Sequence, residues 1–414
     1  VGFENPADIP DVPVDKKVGG YNKAIKPLLT NIYLEKEWEE RHVLCNYQPV
    51  EWNDLKLNDS DYAIKIIDGF ITNGGGLLLG RAGTGKSWVC KKGKEYLKTK
   101  DLVSKCLAFT NKATIQLNGQ TIHNFMRIDN KGKLNTKWAK QQAKKIDVIF
   151  IDEISMISSD LWKILAEFKY YTGITFILIG DYRQLPPVDD KLLGSGDWFN
   201  HSTIKWLANY NRCELTECKR YDPALWNLLE DIWENNGKGK ATTAFLNKRT
   251  CRTIEELATS KNICYKNKTR KALNNDIQAY LLPQENRFIP YEGIVNKYNQ
   301  DAYLFKGARF IMYLTTKCKT FKKNEEVEVV DYTDKIITIK SDDKTMDIKY
   351  DNKLFHKTFV LGYATTIHKS QGDTIEGKVN VFDVKFIMEW LDDKRALYTG
   401  LSRAKSLSNI RVSK

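Results

Sequence analysis

A glycine-rich loop at residues 80–87 (GRAGTGKS) fits the pattern G-x-x-x-x-G-K-[ST] without a mismatch. It follows a short apolar run and precedes a stretch with helical periodicity, so its backbone N–H groups and the helix dipole can hold phosphate oxygens. We expect Lys86 to reach the β- and γ-phosphates and the Ser87 hydroxyl to ligate Mg²⁺. A chance glycine turn is the weaker alternative. ATP and Mg²⁺ are therefore the predicted cofactors, with nucleotide contacts from Gly80, Ala82, Gly83, Thr84, Gly85, Lys86 and Ser87.

Two adjacent carboxylates, Asp152 and Glu153, end an apolar run at 148–151. We expect Asp152 to hold Mg²⁺ and Glu153 to orient and deprotonate the attacking water. Alone, the pair would more simply be two solvated carboxylates at a strand end. The phosphate loop upstream makes nucleotide hydrolysis the stronger interpretation.

Alternating strands and helices must position these residues. We predict strands at 76–79, 105–110, 148–152 and 175–180, with a helix at 87–98 after the loop. Short apolar strands separated by helices favour a parallel sheet covered on both faces. A second α/β block is predicted from near Cys213, with strands at 262–265 and 359–361. The charged, alternating stretch 306–350 predicts a small β-barrel insert.

The composition excludes several classes of protein. A chain of 414 residues is too long for one core, and 42% hydrophobic residues exclude global disorder. No apolar run reaches the roughly 18 residues of a membrane span. Eight cysteines without a CxxC pair disfavour a zinc ribbon and indicate an intracellular, reducing compartment, cytoplasm or nucleus. The net charge of +13 favours a polyanionic partner.

The N-terminal segment 1–55 differs in composition from the rest of the chain. It holds half of the chain's 10 prolines and predicts a weakly structured arm with one short helix at 31–41. The chain begins at Val1 and not at Met, so we interpret it as an engineered product, a processed product or part of a longer polypeptide. No signal-peptide pattern follows.

Further motifs resemble those of superfamily 1 helicases of the RecD-like and Pif-like branch. They appear in the family's order from about residue 57 to the C-terminus, more than four-fifths of the chain. The stretch LTECKR also resembles Dda-type phage members. The motifs are FTNKA at 109–113, TIH at 121–123, GDYRQLPPV at 180–188, LTECKR at 215–220, ATTIHKSQG at 364–372 and YTGLSRAK at 398–405.

The resemblance implies two RecA-like domains with two inserts. The first domain is expected at 56–205 with a duplex-splitting hairpin insert at 127–144. The second is expected at 206–296 and 355–414, with an SH3-like insert at 297–354. Trp138 is a candidate base-stacking or supporting residue in the hairpin, and the alternative for this insert is an ordinary basic surface loop.

Catalytic and strand-contacting roles also follow from the resemblance. Gln184 is implied as the γ-phosphate sensor, Arg220 and Arg403 as cations for the transferring phosphoryl, and Gly372 as a nucleotide contact. A guanidinium suits that role because it stays charged and offers a planar fork. For Arg183 two interpretations stay open, a functional residue of this motif or a charge on the surface. The implied nucleic-acid contacts are Thr110, Asn111, Lys112, His123 and Pro186 in the first domain and Thr366, His368 and Lys369 in the second.

The sequence departs from the family in the segment that reads adenine. Asp61 stands where glutamine is usual, and an aspartate cannot also donate to the adenine ring nitrogen. Specificity for adenine is therefore an open point. Tyr221 follows Arg220 where glutamine is common, and it could stack on a base or pack. Tyr265, Asn267, Lys268 and Asn274 resemble a family pattern that shapes the strand-contacting surface.

We predict an ATP-dependent DNA helicase that moves 5′ to 3′ on single-stranded DNA, acts at duplex junctions and works as a monomer. Its direction rests on the resemblance alone. The alternatives are a viral-type superfamily 1 RNA helicase and a nucleic-acid-stimulated clamp or loader without robust unwinding. The motifs fit replication, repair, recombination and transcription equally.

Overall fold

The computed structural model divides into two compact units, which we describe separately. The first unit contains the residues up to Tyr182 together with Pro186–Lys219, and the second contains Arg183–Leu185 and Arg220–Lys414. The segments 1–52 and 55–61 lie outside the described residues, and so do the predictions made for them. The structure describes residues 53–54, 62–110, 113–114, 117–128, 134–187, 198–247, 252–291, 298–313, 320–321, 324–341, 344–391 and 393–413.

The first unit is built on a parallel sheet of seven strands within the described ranges. The central strands are buried along their whole length, as strands covered on both faces must be. The phosphate loop follows the strand Gly75–Gly80, whose neighbours are Asn211–Leu215 and Thr175–Gly180. The strand order is Asn53–Asp54, Asn211–Leu215, Gly75–Gly80, Thr175–Gly180, Val148–Asp152, Ser104–Ala108 and Gln120–Thr121.

Helices cover both faces of this sheet. Alternate residues of one strand serve the two cores: Ile149 and Ile151 belong to one apolar cluster, whereas Val148 and Phe150 belong to the other. Burial of each such side chain stabilises the fold by about 1.5–3 kcal/mol. The helices of this unit are Tyr62–Thr72, Lys86–Thr99, Ile122–Met126, Thr136–Ala143, Ser159–Thr172 and Ser202–Leu207, with 3-10 turns at Ile154–Met156 and Trp198–Asn200.

The second unit contains a smaller parallel sheet. Its strands lie in the order Ala364–Thr366, Lys261–Cys264, Val379–Val381 and Ile410–Val412. The helices of this unit are Pro223–Glu234, Lys240–Asn247, Ile254–Thr259, Asn267–Leu281, Asn352–Thr358, Ile367–Ser370, Val384–Phe386 and Lys394–Leu401, with a π-helical turn at Ile387–Leu391 and a 3-10 turn at Leu407–Asn409.

The second unit also contains an antiparallel sheet of five described strands. It buries Phe310, Val329 and Ile339 in one apolar cluster. A separate pair, Arg287–Ile289 and Ala302–Leu304, is antiparallel as well. The five strands lie in the order Lys344–Lys349, Ile336–Ser341, Glu326–Tyr332, Arg309–Met312 and Phe359–Leu361.

Two sequence predictions about strand location were wrong. The strand Phe359–Leu361 exists, but it pairs antiparallel with Arg309–Met312 rather than joining the parallel sheet. The strand containing Cys213 does not open the second block, because Asn211–Leu215 pairs in parallel with Gly75–Gly80. The first unit therefore extends to Lys219 instead of ending at 205. Strand pairing is a tertiary property that the apolar pattern of a short strand does not encode.

The described part of the 127–144 insert is mainly helical. Residues 129–133 are not among the described residues, and Thr136–Ala143 forms a helix capped by Asn135. The indole N–H of Trp138 donates to the carbonyl of Phe125 at 2.8 Å, and the guanidinium of Arg127 lies 3.7 Å from its ring centroid. These contacts hold the Trp138 side chain in place with Arg127 over its ring, and its role as a base-stacking or supporting residue stays a prediction.

Among the described helices, none is both long and apolar enough to cross a membrane.

A lysine joins two helices of the first unit. The ammonium of Lys169, on Ser159–Thr172, donates to the carbonyls of Trp206 and Leu207 at 3.2 and 2.9 Å. These carbonyls belong to the last turn of the helix Ser202–Leu207, where carbonyls lack the usual helical donors, and that of Trp206 also accepts the backbone N–H of Asn209. Burial lowers the pKa of Lys169 to about 8.

We expect this lysine to make the stability of the fold depend on pH. The folded pKa of about 8 lies below the unfolded value of 10.5. The unfolded chain therefore binds more protons in this window, and the free energy of unfolding rises with pH across it, by about 1–3 kcal/mol. Lys169→Met should lose this rise in urea unfolding, whereas the exposed control Lys98→Met should keep it. Equal pH slopes for the parent and Lys169→Met would contradict the assignment.

Candidate functional site

The phosphate loop lies at the carboxyl edge of the parallel sheet of the first unit. Gly83 and Gly85 have φ of 87° and 95°, the left-handed region that glycine adopts without strain. The helix Lys86–Thr99 begins directly after them. A Cβ at Gly80 would lie 2.5 Å from the Thr84 hydroxyl, so the loop needs glycine there as well. This geometry turns backbone N–H groups into a concave anion site.

The ammonium of Lys86 lies against the loop itself. It donates to the carbonyls of Gly80 and Arg81 at 2.7 and 2.9 Å. The hydroxyl of Thr84 donates to the same Arg81 carbonyl at 2.9 Å. The positive charge predicted to meet phosphate is thus held at the loop, as the sequence pattern requires.

A carboxylate from the neighbouring strand anchors this loop. Asp181 follows Thr175–Gly180, is 1% exposed, and accepts the backbone N–H of Ala82 at 2.8 Å. On the other side, the backbone N–H of Lys219 donates to the Gly83 carbonyl at 2.9 Å. Both contacts hold the loop from strands adjacent to its own, so its shape is set by the sheet.

Asp152 and Glu153 lie at the carboxyl end of the strand Val148–Asp152. Asp152 is 7% exposed; burial raises the pKa of its carboxyl, and the Lys86 charge opposes that rise. Its carboxylate accepts the backbone N–H of Glu153 at 2.8 Å. Glu153 has φ of 55°, a left-handed conformation that is costly for a non-glycine residue and is often found at functional positions.

The residues at this edge fit a nucleotide-bound Mg²⁺. Within the described residues no cluster of three His, Cys, Asp or Glu could hold a metal by itself. Mg²⁺ at nucleotide sites commonly takes one or two protein oxygens and fills its octahedron with phosphate oxygens and water. The Ser87 hydroxyl and the Asp152 carboxylate supply oxygen ligands of that kind.

The predicted arginines lie in the second unit in different environments. Arg403 is 3% exposed, and its guanidinium donates to the carbonyls of Thr399 and Asp373 and to the Ser402 hydroxyl at 2.9, 3.1 and 2.8 Å. Arg220 is exposed beside the ring of Tyr221. Tyr221 packs, since it is 8% exposed and its hydroxyl donates to the Ser402 carbonyl.

The segment Arg183–Leu185 belongs to the second unit. Arg183 is not a surface charge, because it is buried with its guanidinium 5.5 Å from the Trp233 ring centroid. Gln184 is buried, and the backbone N–H of Leu185 donates to the Thr399 hydroxyl at 3.2 Å. Gly372 has φ of 85° and follows the buried Gln371.

The predicted strand contacts of the first unit are partly described. The Thr110 hydroxyl accepts the backbone N–H of Ala113 at 3.2 Å, and the ring of His123 lies 5.8 Å from that of Phe109. Burial lowers the pKa of His123. Pro186 is half-buried. Asn111 and Lys112 lie outside the described residues.

The predicted contacts of the second unit lie together at one strand end. Thr366 is buried and caps the short helix Ile367–Ser370 by accepting the backbone N–H of Lys369. The ammonium of Lys369 lies 4.6 and 5.4 Å from the ring centroids of Tyr298 and Tyr313. Burial lowers the pKa of His368.

The resembling residues of the helix Asn267–Leu281 differ in environment. Asn274 is buried and binds the backbone of Ala364 and Arg270. Asn267 and Lys268 are exposed.

Sequence reasoning missed two aspartates that hold loops. Asp181 belongs to the motif GDYRQLPPV at 180–188, but no role was predicted for it. Asp383, after Val379–Val381, was not singled out, yet it accepts the backbone N–H groups of Tyr265 and Lys266. The available signal was the one used for Asp152, an acidic residue directly after a short apolar strand.

Comparisons with known proteins agree with this geometry. The AAA domain family matches residues 64–190. The ATP-dependent DNA helicase Pif1 of Psychrobacter sp. is 29% identical over 195 residues, covering 41% of this chain and 30% of that protein. Pif1 of Bdellovibrio bacteriovorus is 24% identical over 378 residues, covering 81% and 83%. The solved structure of Bacteroides Pif1 bound to single-stranded DNA has a TM-score of 0.66 at 22% identity, covering 87% of this chain and 93% of that one.

These matches confirm the resemblance to superfamily 1 helicases of the Pif-like branch. They also confirm the predicted α/β fold class of RecA-like type. The narrower likeness to Dda-type phage helicases stays a prediction.

We expect Asp181→Ala to weaken nucleotide binding, because the Ala82 N–H loses its buried acceptor and the loop loses its anchor. An unsatisfied buried donor costs about 1–3 kcal/mol, so the Kd for a fluorescent ATP analogue should rise about 5- to 150-fold. The control Asp160→Ala removes a carboxylate that is 79% exposed on the same unit and should bind like the parent. Equal affinities of the two variants for the analogue would show that Asp181 does not support nucleotide binding.

Proposed function

We propose that this chain is an ATP-dependent DNA helicase of the Pif1-like branch of superfamily 1, which moves 5′ to 3′ on single-stranded DNA. The observation that carries the proposal is the hydrolytic set Lys86, Ser87, Asp152 and Glu153 at one edge of one parallel sheet, in a chain similar to Pif1 helicases over 378 residues. Its two strands, Gly75–Gly80 and Val148–Asp152, are separated only by Thr175–Gly180. The names of the relatives indicate the reaction, and the carboxyl edge of the parallel sheet carries the groups proposed to perform it.

The chemistry follows from those groups. Backbone N–H groups of the loop and Lys86 bind the β- and γ-phosphates and offset their charge. The Ser87 hydroxyl and the Asp152 carboxylate would hold Mg²⁺, which would supply positive charge to offset that of the phosphates. The Glu153 carboxylate accepts a proton from the attacking water and aligns that water with the γ-phosphorus.

The second unit supplies the remaining predicted groups. We assign Arg403 and Arg220 to the charge of the transferring phosphoryl, and Gln184 to sensing the γ-phosphate. Arg403 is already oriented by three hydrogen bonds from its guanidinium, which lowers the entropic cost of placing it. Both chain neighbours of Gln184 make contacts in the second unit. The guanidinium of Arg183 lies over the Trp233 ring, and the backbone N–H of Leu185 donates to the Thr399 hydroxyl. The backbone of Gln184 is therefore held on both sides.

Single-stranded DNA is the proposed partner. Hydroxyl, imidazole and ammonium groups from Thr110, His123, Thr366, His368 and Lys369 suit contacts to phosphate and sugar, which position a strand without reading its sequence. The solved Bacteroides Pif1 structure contains single-stranded DNA, which favours DNA over RNA for this chain.

One observation favours a second candidate, a nucleic-acid-stimulated NTPase clamp without robust unwinding. The described half of the 127–144 insert is a helix, and Trp138 is covered by Arg127. Little chain is then left for a duplex-splitting hairpin. Unwinding of a tailed duplex by the intact chain supports the helicase, whereas stimulated hydrolysis without strand separation supports the clamp.

We expect Lys86→Ala to abolish ATP turnover stimulated by single-stranded DNA, because the γ-phosphate loses its nearest ammonium. DNA affinity without nucleotide should stay within a few-fold of the parent. Steady-state phosphate release and fluorescence anisotropy measure the two quantities. Lys98→Ala, on the same helix, is the matched control; persistent hydrolysis by Lys86→Ala would refute the assigned loop.

We expect Arg403→Ala to lower kcat by roughly 10³ while leaving ATP affinity largely intact, as for other cations that act on the transferring phosphoryl. Arg411→Ala removes a guanidinium from the same unit and should retain kcat. Single-turnover hydrolysis checks the effect. An unchanged kcat for Arg403→Ala would exclude a role for this guanidinium in phosphoryl transfer.

A further inference from the structure

The segment Arg183–Leu185 carries the proposed γ-phosphate sensor Gln184 and belongs to the second unit. The residue before the sensor, Arg183, is only 5% exposed. Its guanidinium lies 5.5 Å from the ring centroid of Trp233. Trp233 is in the last turn of the helix Pro223–Glu234 and lies in none of the helicase motifs. A residue that no motif assigned therefore holds the side chain directly before the sensor.

A second cation lies over the same ring. The ammonium of Lys394 is 4.1 Å from the Trp233 ring centroid and donates to the Trp233 carbonyl at 3.0 Å. Burial lowers the pKa of Lys394, and the charges of Arg395 and Arg183 lower it further, against the opposing effect of Glu234. The ammonium of Lys394 is thus close enough to the guanidinium of Arg183 to be repelled by it.

The face of the indole offsets this repulsion. Two like charges in one partly buried site disfavour each other's charged forms. The indole ring has a negative face and attracts both cations. An aliphatic side chain in this place would leave the repulsion without that attraction. Arg183 would then be displaced, together with the backbone of Gln184 that follows it.

The helix Lys394–Leu401 connects this arrangement with Arg403. The Thr399 hydroxyl of that helix accepts the backbone N–H of Leu185 at 3.2 Å. The carbonyl of the same threonine accepts the guanidinium Nε–H of Arg403 at 2.9 Å. The sensor is therefore attached on both sides to the helix whose end orients this arginine, on one side through the indole and on the other through the threonine.

We propose that Trp233 is a positioning residue for ATP hydrolysis. By holding two cations over its ring, it fixes the orientation of Gln184 relative to Arg403. The inference rests on the proposed function, in which these two side chains act on the γ-phosphate, and it adds a residue outside the motifs to that machinery. Groups that are held in place before the reaction lower the entropic cost of reaching the transition state.

The experiment is a double-mutant cycle on the full chain. Trp233→Leu is made in the parent and in Gln184→Ala, and kcat and KM for ATP are measured with single-stranded DNA present. In the parent, we expect kcat to fall about tenfold and KM to stay nearly constant, because a misplaced sensor acts on the transition state. In Gln184→Ala the same change should have little further effect, since no sensor is left to be positioned.

Two further variants separate the ring from its bulk and from the stability of the fold. Trp233→Phe keeps an aromatic face and should retain most of the parental kcat. Trp206→Leu is the matched control: the ammonium of Lys169 lies 5.3 Å from this ring centroid in the first unit, and kcat should stay parental. If Trp233→Leu fails to fold, Arg183→Met removes one cation instead and enters the same cycle with the same expectation.

The outcomes separate this inference from the proposed function. If single-stranded DNA does not stimulate ATP hydrolysis by the parent chain, the proposed function is wrong, and the inference falls with it. If stimulation occurs but Gln184→Ala keeps the parental kcat, the sensor role of Gln184 and the inference are both wrong.

The remaining outcomes concern Trp233 alone. Its positioning role is wrong if Trp233→Leu keeps the parental kcat or lowers kcat by the same factor in both backgrounds. It is also wrong if Trp233→Phe loses as much kcat as Trp233→Leu, because the face of the ring is then not what holds the sensor.

Discussion

Burial of parallel strands on both faces is the constraint on which the rest of this structure depends. The strands Gly75–Gly80 and Val148–Asp152 are buried throughout and have no surface on which polar groups could act. Polar chemistry is therefore confined to the strand ends, where the chain leaves the sheet. In the first unit, the phosphate loop and the carboxylates Asp152 and Glu153 lie at the carboxyl ends of strands of one parallel sheet, and in the second unit Thr366, His368 and Lys369 lie at the end of another parallel strand. Adjacent strands bring together loops that lie far apart in sequence.

The two units use the same device to shape these loops. In the first, Asp181 follows one strand and accepts a backbone N–H from the loop that follows the next strand. In the second, Asp383 holds the backbone of Tyr265 and Lys266 in the same way. A carboxylate that accepts buried N–H groups holds a loop in one conformation. The loop then loses little conformational entropy when a ligand binds. Each functional loop is thus shaped by its neighbour in the sheet.

Contacts with carbonyls or with an aromatic ring hold two lysines at the strand ends. Lys86 donates to two carbonyls of its own loop, and Lys266 lies over Phe386. Carbonyls and rings restrict an ammonium while leaving its charge for an incoming anion. Lys169 is the contrast: its ammonium caps a helix, and burial lowers its pKa to about 8, so it serves the fold.

The sequence by itself determined the phosphate loop, the carboxylates Asp152 and Glu153, the central strands and the family resemblance, because these depend on local spacing and local apolar pattern. Tertiary structure alone decided the partner of each strand. Cys213 therefore lies in the first unit, and Phe359–Leu361 lies in the antiparallel sheet. It also decided the contacts of Asp181 and Asp383, since each carboxylate accepts backbone N–H groups from a loop that follows a neighbouring strand and is distant in sequence. Short strands carry too little pattern to specify such a neighbour, and packing of the whole unit selects it.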